Sequence, residues 1–370
     1  MLSRLDDVAK AISARITLQK GLGTPHFADK RYAPKPFSPD NFRKIHPFNT
    51  DKKLAFIDAG NMEIFASPGL SVHFIRAYFC LFRNNSRIIP KTPPQKIEFF
   101  SVSSAKESEG EMQFSCSLIP AGSASKEIIS EIGEITLDSS DPTISKAGGF
   151  SASISVMGGV ARRFMEWLYA AKIIEHELDA GDILVRDGAL VASVKGEADF
   201  AKKAYEIAEK KGAILSACAK TSELLTTTGM PLTSAIQILA QNYKIASPWF
   251  YSPIAENNNP EHRAEIFIAN FHEKSRRAFR FEIEKGAAAR LTEDELGAIF
   301  GALSQNSCDG PFLGYPYGLT DADAKARISI GECANYRMAL LSMLNRRGRG
   351  DIAEIVSNAV DAHDVLNDIV

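Results

Sequence analysis

Residues 54–61, LAFIDAGN, read as a buried β-strand that carries a carboxylate, Asp58, close to its end. An ionised carboxylate taken out of water costs several kcal/mol unless a hydrogen-bond donor, a cation or a metal compensates it. The rest of the chain has to supply that compensation, and a second stretch suggests how. DILVRDGAL, 182–190, repeats the pattern: an apolar strand that ends in Asp187 and Gly188. Strand ends are where an open α/β sheet presents its ligand site. If the two strands are neighbours, Asp58 and Asp187 converge. Two like charges at close range then call for a proton or a divalent cation between them, and hard carboxylate oxygens select Mg²⁺ or Mn²⁺ rather than zinc.

A third carboxylate is offered by Glu166, in the helical segment RRFMEW, with Arg162 and Arg163 one turn earlier. Each of these residues also has a plainer reading. Asp-Gly is a common turn former, and a helical Glu commonly faces solvent. Their joint occurrence is what points to a site.

Outward from these motifs the chain changes character twice. An N-terminal helix, MLSRLDDVAKAISARITLQK, is followed by residues 21–50, rich in Pro, Gly, Lys and Phe without periodicity, expected as an extended arm across the surface or onto a partner. From Leu54 the runs LAFID, EIFA, SVHFIRAYFCLF, KIEFFSV, MQFSCSLI and EITL read as consecutive strands. Ser- and Gly-rich residues 139–159 close that stretch. A long amphipathic helix, 160–178, the Asp187 strand, a helix at about 197–211 and the strand AILSACA then give β-α-β alternation. Helix SAIQILAQN, strands around PWFYSPIA, AEIFIAN and AFRFEIE, helix TEDELGAIFGALS and a helical region from about Asp321 complete the chain. The expected fold is α/β, a mixed sheet flanked by helices, with an inserted β-rich element and a helical C-terminal region. The expected domains are the helix and arm at 1–50, one catalytic domain at 51–345 and a C-terminal helix at 346–370.

Bulk properties narrow the function. The 370 residues are 45% hydrophobic, enough for a large core, and 43 Lys and Arg against 45 Asp and Glu leave a formal charge of −2. No global basic field marks a nucleic-acid or membrane binder, so a polyanion has to be held by a local patch. The five cysteines are scattered, without metal-site or disulfide-scaffold spacing, which points to a reducing, cytoplasmic setting. The N-terminus lacks the apolar run of a secretory signal, and no window is long and apolar enough for a membrane span.

FIDAGN, RRFMEW, DILVRDGAL, AILSACAKTSELL and GYPYGLTDADAKARIS, in this order between about Leu54 and Tyr336, resemble the NurA nucleases, DNA end-processing enzymes with an RNase H-like core. The resemblance implies that Asp58, Glu166 and Asp187 are metal ligands, that Tyr315 is the active-site tyrosine and that Lys220 offers its ammonium to a phosphate or to the carboxylates. Where the family carries His, this chain has Asp323, which implies a more anionic site that keeps metal binding, with altered metal preference or reduced activity. The resemblance further implies Mn²⁺ or Mg²⁺ as cofactor, a homodimer, 5′-to-3′ exonuclease and single-strand endonuclease activity on DNA, and work with a hexameric HerA-type translocase in double-strand break resection.

Two other classes compete. One is an RNase H-like scaffold on the translocase that has lost catalysis, supported by the missing histidine. The other is a sugar-kinase or actin-like ATPase, whose phosphate turn IDAGN superficially matches; its second phosphate loop and adenosine segment are not found. Lys325, Arg327 and the group Arg346, Arg347 and Arg349 offer phosphate contacts, although the last three also complement a helix dipole. His73, His176, His262 and His272 have no ligand spacing. Trp167 and the aromatics of SPWFYSP either stack on unpaired bases or pack in the core.

Overall fold

The computed structural model describes residues 2–15, 21–47, 50–145 and 151–358. The end of the expected N-terminal helix, the last residues of the arm, part of the Ser- and Gly-rich stretch and the last 12 residues of the expected C-terminal helix lie outside the described residues. The chain divides into two compact units: Met1–Phe48 with Cys218–Tyr315, and Asn49–Ala217 with Pro316–Val370.

The second unit is built on a mixed sheet. Its strand order is Ile214–Ala219, Ile183–Asp187, Lys53–Ser67, Leu70–Arg83, Lys96–Ser108, Glu111–Pro120 and Ile135–Asp138; the first of these strands contributes its opening four residues to this unit. Ile183–Asp187 pairs in parallel with Lys53–Ser67, and the strands from there to Ile135–Asp138 pair antiparallel. The stretches LAFID and EIFA belong to one continuous strand, Lys53–Ser67, rather than to two. Gly60 and Asn61 do not turn the chain, because the Leu70–Arg83 strand pairs along its whole length and absorbs the irregularity as a bulge between Glu63 and Phe65. Asp58 therefore lies mid-strand, and it is the parallel neighbour that stops, at Asp187.

Helices cover both faces. Val156–Glu177 covers one face, where Tyr169 meets Phe79 edge-on at 5.5 Å and Gly158 lies against His73, while its Phe164 and Trp167 pack on Phe200 and Tyr205 of the helix Glu197–Lys211. Burial of such an aromatic or aliphatic side chain contributes roughly 1.5–3 kcal/mol. Tyr317–Ala326 packs on the opposite face, where Cys80 Sγ meets the Gly318 carbonyl at 3.2 Å. The helical region expected from Asp321 starts earlier, at Tyr317, and is three helices: Tyr317–Ala326, Ile330–Arg346 and Gly350–Asn358. Ser329 caps the second through the Glu332 amide.

The first unit carries an antiparallel sheet of Phe42–Lys44, Trp249–Tyr251, Ala264–Asn270 and Phe279–Glu284. The extended arm is stitched into this unit: Pro25–His26 pairs with Leu225–Thr226 and Tyr32–Pro34 with Ala255–Asn257 as two small separate sheets, and Phe42–Lys44 joins the main sheet beside Trp249–Tyr251. Trp249, Phe250 and Tyr251 are buried core residues, as is Trp167 in the other unit, so packing accounts for all four. Helix Glu293–Asn306 starts on a complete capping box between Thr292 and Glu295.

Candidate functional site

Strand alternation decides where each candidate side chain points. Ile183–Asp187 is in register with residues from Leu54 on, and Arg186 stands beside Ile57. One step further along, Asp187 stands beside Asp58. Residues of even number on the Asp58 strand face the Tyr317–Ala326 helix: Phe56 lies against Gly318, and Gly60 against the Ala326 carbonyl. Asp58 and Asp187 share that face. The odd positions, and Arg186 with them, face the Val156–Glu177 helix.

Asp323 completes the cluster from the helix above. Carboxylate oxygens of Asp58, Asp187 and Asp323 lie within 4.8 Å of one another. Asp58 is 9% exposed and the other two are half-buried. Two glycines allow this approach. A Cβ at Gly60 would sit 2.7 Å from the Ala326 carbonyl oxygen, and one at Gly318 would fall inside the Phe56 ring. The chain turns away after Asp187 through Gly188, whose φ of +99° suits glycine. Asp58 is oriented by the Ala59 amide, which donates to Oδ1 at 2.7 Å, and Asp323 Oδ2 pairs with Arg327 at 2.8 Å. The cluster opens into a cavity of about 360 Å³, also lined by Asn61, Arg162 and Arg327.

Glu166 is held elsewhere. Its Oε1 accepts from Arg162 Nη1 at 2.5 Å and its Oε2 from Arg186 Nη2 at 2.6 Å. Arg186 is 4% exposed, stacks over Trp167 at 4.5 Å and donates to the Ala189 carbonyl. Arg162 also donates to the Ala59 carbonyl at 3.1 Å and reaches the rim of the carboxylate cluster. Glu166 first, then Asp58 and Asp187, hold the Arg162 guanidinium protonated above its ordinary value against the opposing effect of burial. Arg163 and Trp167 Nε1 both bind the buried carboxylate of Glu197, which fixes the helix to the next β-α turn.

Tyr315 and Lys220 belong to the other unit. Tyr315 is fully buried between Phe279 and Phe312, with its hydroxyl 3.4 Å from the Cys218 carbonyl. Lys220 follows the strand Ile214–Ala219 directly and is half-buried. Arg186, Asn61 and Glu197 are not among the candidates named from sequence. Arg186 had a signal, a cation at an inward position of an apolar strand; Asn61 had none.

Three hard oxygen donors at this spacing could hold a divalent metal ion, and their like charges favour one. The mixed sheet with helices on both faces is an RNase H-like fold. The solved structures it matches include the NurA nuclease from Sulfolobus solfataricus, with a TM-score of 0.53 and 14% identity over 94% of this chain and 97% of that one. Endonuclease V from Ciona intestinalis matches with a TM-score of 0.33 and 12% identity over 87% of this chain and 97% of that one. No protein-family model matches the chain, and no curated protein matches its sequence. Among the described residues no helix is long and apolar enough to cross a membrane.

Proposed function

We propose that the chain is a metal-dependent DNA nuclease of the NurA kind. The observation that carries this reading is the convergence of Asp58, Asp187 and Asp323, from two parallel strands and a helix distant in sequence, at the rim of one open cavity. The NurA-like fold supports DNA as the substrate. The motif resemblance supports the finer reading: 5′-to-3′ exonuclease and single-strand endonuclease activity, a homodimer, and a HerA-type translocase that feeds it DNA ends.

Asp58, Asp187 and Asp323 would hold Mn²⁺ or Mg²⁺. Bound there, the ion supplies a water acidic enough to attack near neutral pH and neutralises charge on the phosphate. The protein's own contribution is placement. Asp58 is fixed by the Ala59 amide, Asp187 by its place at a strand end and Asp323 by a helix seated on glycine. The open cavity admits a strand to the carboxylates.

Incubation of the protein with plasmid and with end-labelled oligonucleotides, with and without Mn²⁺ or Mg²⁺, tests the proposal. Metal-dependent cleavage that Asp58→Asn and Asp187→Asn abolish supports it. Absence of cleavage with every substrate and either metal removes it in favour of the second reading, a catalytically silent scaffold. That reading draws on Asp323 where the family has His.

A further inference from the structure

The nuclease reading leaves unexplained why an acid on the Val156–Glu177 helix is clamped between two arginines. This inference rests on that reading: we propose that Glu166 is not a ligand of the bound ion but a positioning residue, and that the group it positions, the Arg162 guanidinium, binds the phosphate of the DNA strand at the carboxylate cluster.

The geometry supports this in three steps. First, Glu166 is reached from the face opposite the cluster. Its partner Arg186 alternates with Asp187 along one strand, so the two side chains leave the sheet on opposite sides. Second, both oxygens of Glu166 already accept charge-assisted hydrogen bonds, from Arg162 and Arg186. A cation placed on either oxygen would meet a guanidinium, whereas the group of carboxylates spaced for an ion among the described residues consists of Asp58, Asp187 and Asp323. Third, Arg162 bridges the two regions. One nitrogen, Nη1, is pinned by Glu166 and by the Ala59 carbonyl, yet the side chain keeps 29% of its surface exposed and lines the cavity with Asp58 and Asp187.

A guanidinium held in one orientation at the mouth of an anionic pocket offers planar, paired donors to a phosphate, which a lysine cannot reproduce. It also offsets part of the charge of three carboxylates before an ion arrives. Arg186, stacked on Trp167 and buried, anchors the clamp from below.

The test combines Mn²⁺ titration with binding of a labelled oligo-deoxythymidine strand in Ca²⁺, each on protein shown to be folded by circular dichroism. Glu166→Gln is expected to keep Mn²⁺ affinity within about threefold, while Asp187→Asn loses at least about tenfold, roughly the 1.4 kcal/mol of one ligand contact. Arg162→Ala is expected to bind Mn²⁺ more tightly than the parent. It should also bind the oligonucleotide more weakly, with the slope of log affinity against log salt reduced by about 0.7, the value for one single-strand phosphate contact. Arg162→Lys should restore the slope but not the affinity. A loss of about tenfold or more in Mn²⁺ affinity for folded Glu166→Gln would return Glu166 to the ligand set and overturn the inference. So would an unchanged oligonucleotide affinity and slope in Arg162→Ala, which decides the matter alone if Glu166→Gln does not fold. A parent chain that binds Mn²⁺ and oligonucleotide without cutting DNA removes the nuclease reading instead, and these titrations still decide the role of Arg162.

Discussion

Asp58 and Asp187 stand side by side, one residue beyond Ile57 and Arg186, the last paired positions of two parallel strands. Two adjacent carboxylates on one face of a sheet repel each other, and Asp323 adds a third charge from the helix above. A divalent ion bound among them would relieve that repulsion.

The first expected outcome follows from that repulsion. Mn²⁺ should raise the melting temperature of the parent protein, because an ion that binds only the folded state stabilises it by about 2.7 kcal/mol at one hundred times its dissociation constant. Asp58→Asn and Asp187→Asn should lose most of this shift. Without metal they should melt at or above the parent temperature, since each removes one of three crowded charges. Differential scanning fluorimetry across a Mn²⁺ series reads both effects. An equal Mn²⁺ shift in all three proteins places the ion elsewhere.

Much of this was legible in the sequence, for definable reasons. The strands LAFID and DILVRD announce themselves because each is a short apolar run that ends in a carboxylate, but their pairing in parallel joins segments separated by several strands and a long helix and is not written in either run. The join of LAFID and EIFA was hidden, because Gly60 and Asn61 carry turn chemistry that pairing along the neighbouring strand overrides. Gly60 is explained by the close approach of the Ala326 carbonyl, a tertiary contact invisible to local pattern. Glu166 shows the same limit. Its helical position was readable, but its two arginine partners come from one turn back and from the following strand, and the second contact appears only once the helix is folded onto the sheet.

Asp323 offers a second outcome. Replacement by His would exchange an anionic oxygen donor for a neutral nitrogen, which favours Mn²⁺ over Mg²⁺. The cost to folding should be small, because the Asp323–Arg327 pair is a one-turn helical contact with an exposed arginine, worth about 0.3–0.5 kcal/mol at most. Calorimetric titration of Asp323→His is expected to show a raised ratio of Mn²⁺ to Mg²⁺ affinity, and Asp323→Ala to weaken both. If neither variant differs from the parent, position 323 lies outside the ion's reach.

The glycines that seat the Asp323 helix predict a third. In Gly318→Ala the new methyl group would occupy the Phe56 ring, and in Gly60→Ala it would press on a backbone carbonyl at 2.7 Å. Phe56 is fully buried and has nowhere to go. Overpacking of this kind costs roughly 1–3 kcal/mol, to be read from urea midpoints. Relief by lifting the helix would also draw Asp323 away from Asp58 and Asp187, so metal affinity should fall in the same variants. Gly159→Ala, with open space around it, serves as the comparison and should leave metal affinity alone.

The last outcome concerns pH. His73 is 3% exposed, with Nδ1 3.2 Å from Ser71 Oγ, Nε2 3.6 Å from a Glu63 carboxylate oxygen and its ring packed against Gly158. Burial lowers its pKa below the ordinary 6.5, outweighing the opposite pull of the Glu63 charge. Between the lowered folded value and the unfolded one, the unfolded chain binds the extra proton. Stability from this residue is therefore complete above about pH 6.5 and is lost as pH falls through the folded value. Urea unfolding of the parent at several points between pH 7.5 and about 5 should show a decline that His73→Gln, uncharged throughout, shows less steeply. Carboxylates away from position 73 contribute equally to both proteins, so the difference between the two curves isolates the histidine together with its Glu63 neighbour. Parallel curves across that window would mean that the imidazole takes up its proton as readily in the folded protein as in water, and that Ser71 and Glu63 have opened to let solvent in.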